Sequence, residues 1–198
     1  MIGVVAERKR AVRLRNRRKL NRKPFLLLSA VLLLAAAVVY KDKLWQPSAL
    51  FVDEIAPICM ENGEELPLIL AVIQTESRFR EDAVSPVGAV GLMQVMPDTG
   101  RWMADRMGLR SYSPEKLRER EWNLAIGIAY MHYLRQQFPG SLAQALAAYN
   151  AGPNRVQGWL NAGVWDGSLE KLDKIPFSET RNYVKKVLRA YESFKKIY

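Results

Sequence analysis

The chain has 198 residues, 49% of them apolar and 25% charged, the balance of a globular protein with room for one ordinary domain and an appendage. Its net charge of +10 is localised: residues 1–23 carry ten Lys/Arg against the single acid Glu7, and the remaining 175 residues hold 20 basic and 19 acidic groups, which argues against a general phosphate-binding surface. With His132 and Cys59 as the only histidine and cysteine, there is no HExxH or CxxC motif and no intrachain disulfide, so neither a metal nor a cofactor is expected.

The N-terminal elements come first. After the basic run and Pro24, residues Phe25 to Tyr40 form an uncharged stretch whose helix would be about 24 Å long, short of a hydrocarbon core of about 30 Å. Lys41, Lys43 and Trp45 follow, where snorkelling cations and an interfacial ring extend the reach. The short apolar core and Ala35-Ala36-Ala37 suit a cleavable signal peptide. The long basic leader favours an uncleaved transmembrane anchor over 24–44. Either way the charge asymmetry keeps residues 1–23, a basic tail, in the cytoplasm and places everything after Trp45 outside.

Residues 45–198 then read as one mainly helical domain. Ser48 to Asn62 is a helix closed by Gly63, with Pro57 inside it. Leu66 to Ser77 is apolar almost all round, the mark of a buried central helix. Between Ala83 and Met96, Gly88, Gly91 and the Ser85-Pro86 pair break any helix, which leaves a loop or short hairpin. Helices follow at Asp98 to Met107, after Ser113-Pro114-Glu115, and over about 121–137, where Leu124, Ile128 and Met131 form a stripe. Another starts at the cap Ser141 and ends near Asn150, before Gly152. The last, introduced by Pro176 and Ser178, carries Tyr183, Val187, Tyr191 and Phe194 on one face. His132 reads as a helix-face histidine and Cys59 as a buried thiol.

Chemistry concentrates at Glu76. A carboxyl at the end of a helix built for burial has its pKa raised by desolvation and stays protonated near neutral pH, as a general acid for glycosidic cleavage must. The plain alternative is an ordinary helix-end carboxylate paired with Arg78 or Arg80. Four blocks in order bear on the choice: Glu76-Ser77; Gly91-Leu92-Met93-Gln94; Ala148-Tyr149-Asn150-Ala151-Gly152; and Glu179-Thr180-Arg181-Asn182-Tyr183-Val184.

These blocks resemble the catalytic domain of the soluble-lytic-transglycosylase (SLT) type, the family 1 lytic transglycosylases, from about Ile55 to the C-terminus. The resemblance implies a lysozyme-like, mainly helical fold with one short irregular or β segment. It also implies non-hydrolytic cleavage of the β-1,4 bond between N-acetylmuramic acid and N-acetylglucosamine in peptidoglycan, giving 1,6-anhydromuramoyl ends. By the same resemblance, Glu76 matches the catalytic acid, while Ser77, Met93, Gln94, Tyr149, Asn150 and Tyr183 match substrate-binding or acid-orienting positions. A helix-start carboxylate accounts for Glu179 without a catalytic role.

Two rivals differ in chemistry. Goose-type lysozymes share the glutamate and a GLMQ-like block but hydrolyse the bond with a nearby aspartate; where they place an acid, this chain has Val95-Met96-Pro97, leaving Asp82 and Asp98 as the nearest candidates. A non-catalytic, membrane-tethered peptidoglycan-binding module would be marked by loss of the acid, and Glu76 is present. The expected partners are peptidoglycan glycan strands, the bacterial cell membrane and other cell-wall machinery, with no nucleic acid.

Overall fold

The computed structural model describes residues 47–198. The basic tail and the apolar run over 24–44 lie outside the described residues. Seven α-helices appear in the described part: α1 (Ala49–Glu61), α2 (Leu66–Glu76), α3 (Pro97–Arg106), α4 (Arg120–Gln137), α5 (Leu142–Ala151), α6 (Pro153–Asn161) and α7 (Ser178–Phe194). Two short 3-10 turns, Pro114–Arg118 and Leu172–Lys174, join them. None of the described helices is long and apolar enough to cross a membrane.

Local chemistry sets these boundaries. The Ser48 hydroxyl accepts from the Phe51 amide at 3.2 Å and caps α1, and the Ser141 hydroxyl accepts from the Ala143 amide at 3.1 Å and caps α5. Proline opens α2, α3 and α6 at a position whose missing N–H costs nothing. The stretch after Ser113 is a 3-10 turn rather than a full helix. Helix α6 carries only the short apolar stripe Val156, Trp159 and Leu160, and Gly152, at φ +89, both ends α5 and redirects the chain into Pro153, so a helix follows where the sequence reads as a stop.

Helix α2 forms the axis of the core. Its residues Leu68 to Ile73 are all buried, and burial of each large aliphatic side chain is worth about 1.5–3 kcal/mol. Helix α7 packs along α2 through Thr180, Tyr183, Val184, Val187, Tyr191 and Phe194, and α1 and α4 close other sides with Ile55, Cys59, Leu124, Ile128 and Met131. Burial pushes the Cys59 thiol up to about 12, so it stays protonated. His132 lies on α4 with its Nδ1 at 3.1 Å from the buried carboxyl of Glu64, which also accepts from Arg135 Nη1 at 2.8 Å. These contacts fasten the α1–α2 turn to α4.

Residues 83–96 form no strand, only isolated antiparallel bridges that pair Val90 with Val84 and with Val95. Val90 and Val95 exchange two backbone hydrogen bonds of 3.0 Å, and the Gly91 amide donates to the Ala83 carbonyl at 2.8 Å. The segment is an irregular hairpin.

Candidate active site

Glu76 is the last residue of α2, where the chain leaves the core. Burial, the dominant influence, raises its carboxyl from 4.5 to about 7, and a smaller opposing influence comes from the Tyr183 hydroxyl. The C-terminal end of a helix also offers an anion no dipole support. The Tyr183 hydroxyl faces Glu76, but the contact falls short of a formed hydrogen bond, leaving this buried phenol without a partner. Tyr149 closes another side: burial holds its hydroxyl well above the usual phenol range, with the Glu76 carboxylate adding to the effect. Both phenols are therefore proton-bearing groups at neutral pH.

The chain turns away from Glu76 sharply. Ser77 is buried and its hydroxyl donates to the Ile73 carbonyl at 3.2 Å, one turn back in its own helix. Arg78 and Phe79 then sit in the left-handed region at φ 55 and 61, a conformation that costs roughly 1–2 kcal/mol per non-glycine residue. Packing holds it: the Phe79 ring lies edge-on between Phe51 and Phe194, with centroids at 5.5 and 6.4 Å, and Arg80 Nε donates to the Ser77 carbonyl at 3.2 Å.

Side chains brace the 83–96 hairpin. Gln94, itself left-handed at φ 46, turns its amide inward, and Nε2 donates to the carbonyls of Gly91 (2.8 Å) and Ala83 (3.1 Å). Tyr149 Oη donates to the Met93 carbonyl at 2.8 Å, so the phenol beside Glu76 also clamps the hairpin. Met93 is fully buried, and its backbone amide donates to Asn123 Oδ1 at 2.8 Å. Asn123 Nδ2 in turn donates to the carbonyls of Val90 (2.8 Å) and Leu117 (2.9 Å). One turn along α4, Gly127 leaves the space that Met93 fills, since a Cβ there would stand 2.8 Å from Met93 Cβ.

Of the residues singled out by sequence, Glu76, Tyr149 and Tyr183 form one cluster, Tyr183 buried and the other two half-buried, and Met93 joins it through the Tyr149 bond. Ser77 and the Gln94 amide spend donors on the backbone. Asn150 is half-buried beside Tyr149 at the end of α5 and makes no side-chain hydrogen bond among the described residues. Asp82 and Asp98 are exposed, and no carboxylate contributes to the Glu76 shift. Glu179 is exposed in the first turn of α7. No group of three or more His, Cys, Asp or Glu among the described residues is arranged to hold a metal. Sequence reading missed Asn123 and Gly127; the available signal was a polar residue and a glycine four apart within the apolar stripe of α4.

Comparison with known proteins bears on the family and the fold. Residues 58–167 match the Transglycosylase SLT domain. The soluble lytic murein transglycosylase of Escherichia coli is 43% identical over 138 residues, 67% of this chain and 21% of the relative. The membrane-bound lytic murein transglycosylase C of Mannheimia succiniciproducens is 31% identical over 160 residues, 68% of this chain and 43% of the relative. The crystal structure of the 70 kDa soluble lytic transglycosylase from Escherichia coli superposes with a TM-score of 0.65 at 37% identity, covering 73% of this chain and 24% of that one. An inactive mutant of the lytic transglycosylase from Pseudomonas aeruginosa gives a TM-score of 0.64 at 35% identity, covering 72% and 23%. The chain thus spans about a fifth to under half of the length of these relatives. With the helical frame, the family match and the relatives in agreement, the chain belongs to the Transglycosylase SLT domain family.

Proposed function

We propose that this protein is a peptidoglycan lytic transglycosylase in which Glu76 performs both proton transfers. The observation that carries the reading is a carboxyl raised to about 7 by burial, flanked by two protonated phenols and influenced by no second carboxylate. A protonated Glu76 donates to the oxygen of the bond joining C1 of N-acetylmuramic acid to O4 of N-acetylglucosamine; that C–O bond breaks and the N-acetylglucosamine leaves as an alcohol. The C6 hydroxyl of the same muramoyl sugar then attacks C1, closes the 1,6-anhydro ring and returns its proton to the Glu76 carboxylate. The residue ends as it began, and no water enters the product. The unpartnered Tyr183 hydroxyl is a donor available to the transient carboxylate.

Roles for the neighbours follow from their placement. Tyr149, Met93 and Gln94 set the hairpin against the acid, and Asn150 offers a free amide for acetamido groups of the sugars. Intramolecular attack suits a site whose nearest candidate water-activating acids, Asp82 and Asp98, are both exposed, because a tethered hydroxyl avoids much of the entropic cost of a second reactant. We further propose that residues 24–44 anchor the protein in the bacterial membrane, with residues 1–23 cytoplasmic and residues 45–198 outside. The basic leader and the apolar run support this. Digestion of purified sacculi tests the activity: Glu76→Gln, which keeps size and packing, is expected to lower cleavage by about 10²–10⁴-fold with an unchanged circular dichroism spectrum. Cleavage within a few-fold of wild type would remove Glu76 from the role.

A further inference from the structure

We propose that Trp102, Arg106 and Tyr133 form an outer glycan subsite on α3 and α4, with a sugar packed on the indole and a carboxylate of that sugar's peptide substituent held by the guanidinium. The proposal rests on the peptidoglycan reading above and concerns a surface that the chemistry at Glu76 does not use.

The rings continue outward from the acid. Tyr149, beside Glu76, contacts Tyr130 with ring centroids at 5.4 Å. Tyr130 stacks near Tyr133 at 6.4 Å and meets Trp102 edge-on at 6.3 Å, and Trp102 meets Tyr133 edge-on at 4.8 Å. Burial pushes the Tyr130 hydroxyl up to about 12, so no phenolate interrupts this run. At its outer end Trp102 is 39% exposed, on a short helix that is otherwise mostly polar. An exposed tryptophan alone signifies little; this one ends a contiguous ring path that starts beside the candidate acid. The apolar C–H face of a pyranose packs on such a ring, as other apolar groups do.

Arg106 supplies the second half of the recognition. It lies one turn after Trp102, its guanidinium carbon 5.3 Å from the Trp102 ring and 5.1 Å from the Tyr133 ring. Stacking occupies the face of the guanidinium and leaves its N–H edge to bind in plane. No carboxylate of the described residues takes that edge: Arg106 makes no ion pair, though Asp105 and Asp98 stand on the same helix. A fork fixed by two rings and lacking an internal anion is suited to a bidentate carboxylate from outside. Peptide stems on muramoyl residues carry such groups; a strand stripped of its stems exposes only the lactyl carboxyl of the sugar, which amidation blocks.

Binding separates the two halves of the proposal. The full-length chain in detergent, carrying Glu76→Gln to prevent turnover, is titrated with soluble glycan strands that either bear peptide stems or have been stripped of them and amidated at the exposed lactyl carboxyl. Trp102→Leu, which keeps an apolar side chain for folding, is expected to weaken binding of both strand types about tenfold, and Trp102→Phe to restore most of it. Arg106→Gln is expected to weaken stem-bearing strands about tenfold and stripped strands less than twofold. Unchanged affinity in Trp102→Leu, or no binding by the parent, would overturn the subsite; equal losses on both strand types in Arg106→Gln would overturn the carboxylate assignment. Sacculus cleavage by the wild-type chain is read separately, so a protein that binds in this pattern without cleaving would refute the activity and leave the subsite standing.

Discussion

Glu76 is held where its charge is least welcome, and this has two measurable consequences. In the proposed mechanism the cleaving form carries the proton, so the rate on soluble glycan strands should fall about tenfold per pH unit above about 7, the value to which burial raises the carboxyl. The same shift acts on stability. The folded-state value lies above the ordinary 4.5, so the folded protein resists an ionisation that the unfolded chain accepts: stability is lost as pH rises from 4.5 to about 7, and the loss is complete above that. Glu76→Gln should therefore be more stable than wild type at pH 8 by about 1–3 kcal/mol, with the gap closing below pH 4.5. Denaturant titrations at the two pH values check this; a variant no more stable at pH 8 than wild type would mean that the carboxyl is better solvated than its surroundings indicate. Position 76 was legible in sequence because a carboxylate ending an apolar helix is a local anomaly. The phenols around it were not legible in this sense, since Tyr149 and Tyr183 reach it from α5 and α7.

The 83–96 hairpin has no sheet to stabilise it; beside the Tyr149 and Gln94 bonds, its main tie to α4 is one buried side chain. Asn123 joins it to α4 by bonds to Met93 and Val90 and ties in Leu117, contacts made across up to 33 residues of sequence. Asn123→Ala would leave the Met93 amide and the Leu117 carbonyl without these partners in a buried place, at a cost of about 2–4 kcal/mol. Hydrogen exchange should show faster opening over 83–96 than in α2. Gly91→Ala should act on the same joint, because a Cβ there runs into Asn123 and the backbone is at φ +77. Exchange rates unchanged in both variants would show that the bridges around Val90 suffice. The glycines and Ser85-Pro86 made this break in helix readable, but the Asn123 bonds and the Gly127–Met93 fit join distant segments and leave no periodic trace. Helix α6 escaped for a different reason: it is only nine residues long and starts behind a glycine that ordinarily signals a stop.

At the scale of the whole molecule, charge and apolarity divide the chain into a strongly basic leader, an uncharged run and a nearly neutral domain. The helical character of the domain was readable because α2, α4 and α7 each carry an apolar pattern matched by their burial. Membrane fractionation with protease access on intact and opened cells checks the proposed anchor. The full-length chain should remain with the membrane, its catalytic domain digested from outside; a soluble mature form beginning near Val38 would instead identify residues 24–44 as a cleaved signal. The central claim, that one buried carboxyl drives an intramolecular ring closure, is tested most directly by mass spectrometry of the muropeptides released from sacculi, after a reduction step that marks reducing ends. Products ending in 1,6-anhydromuramic acid, lighter by one water and untouched by reduction, are the expected result. Predominantly reducible muramic acid ends would contradict it and make Asp82 and Asp98 the residues to test as activators of water.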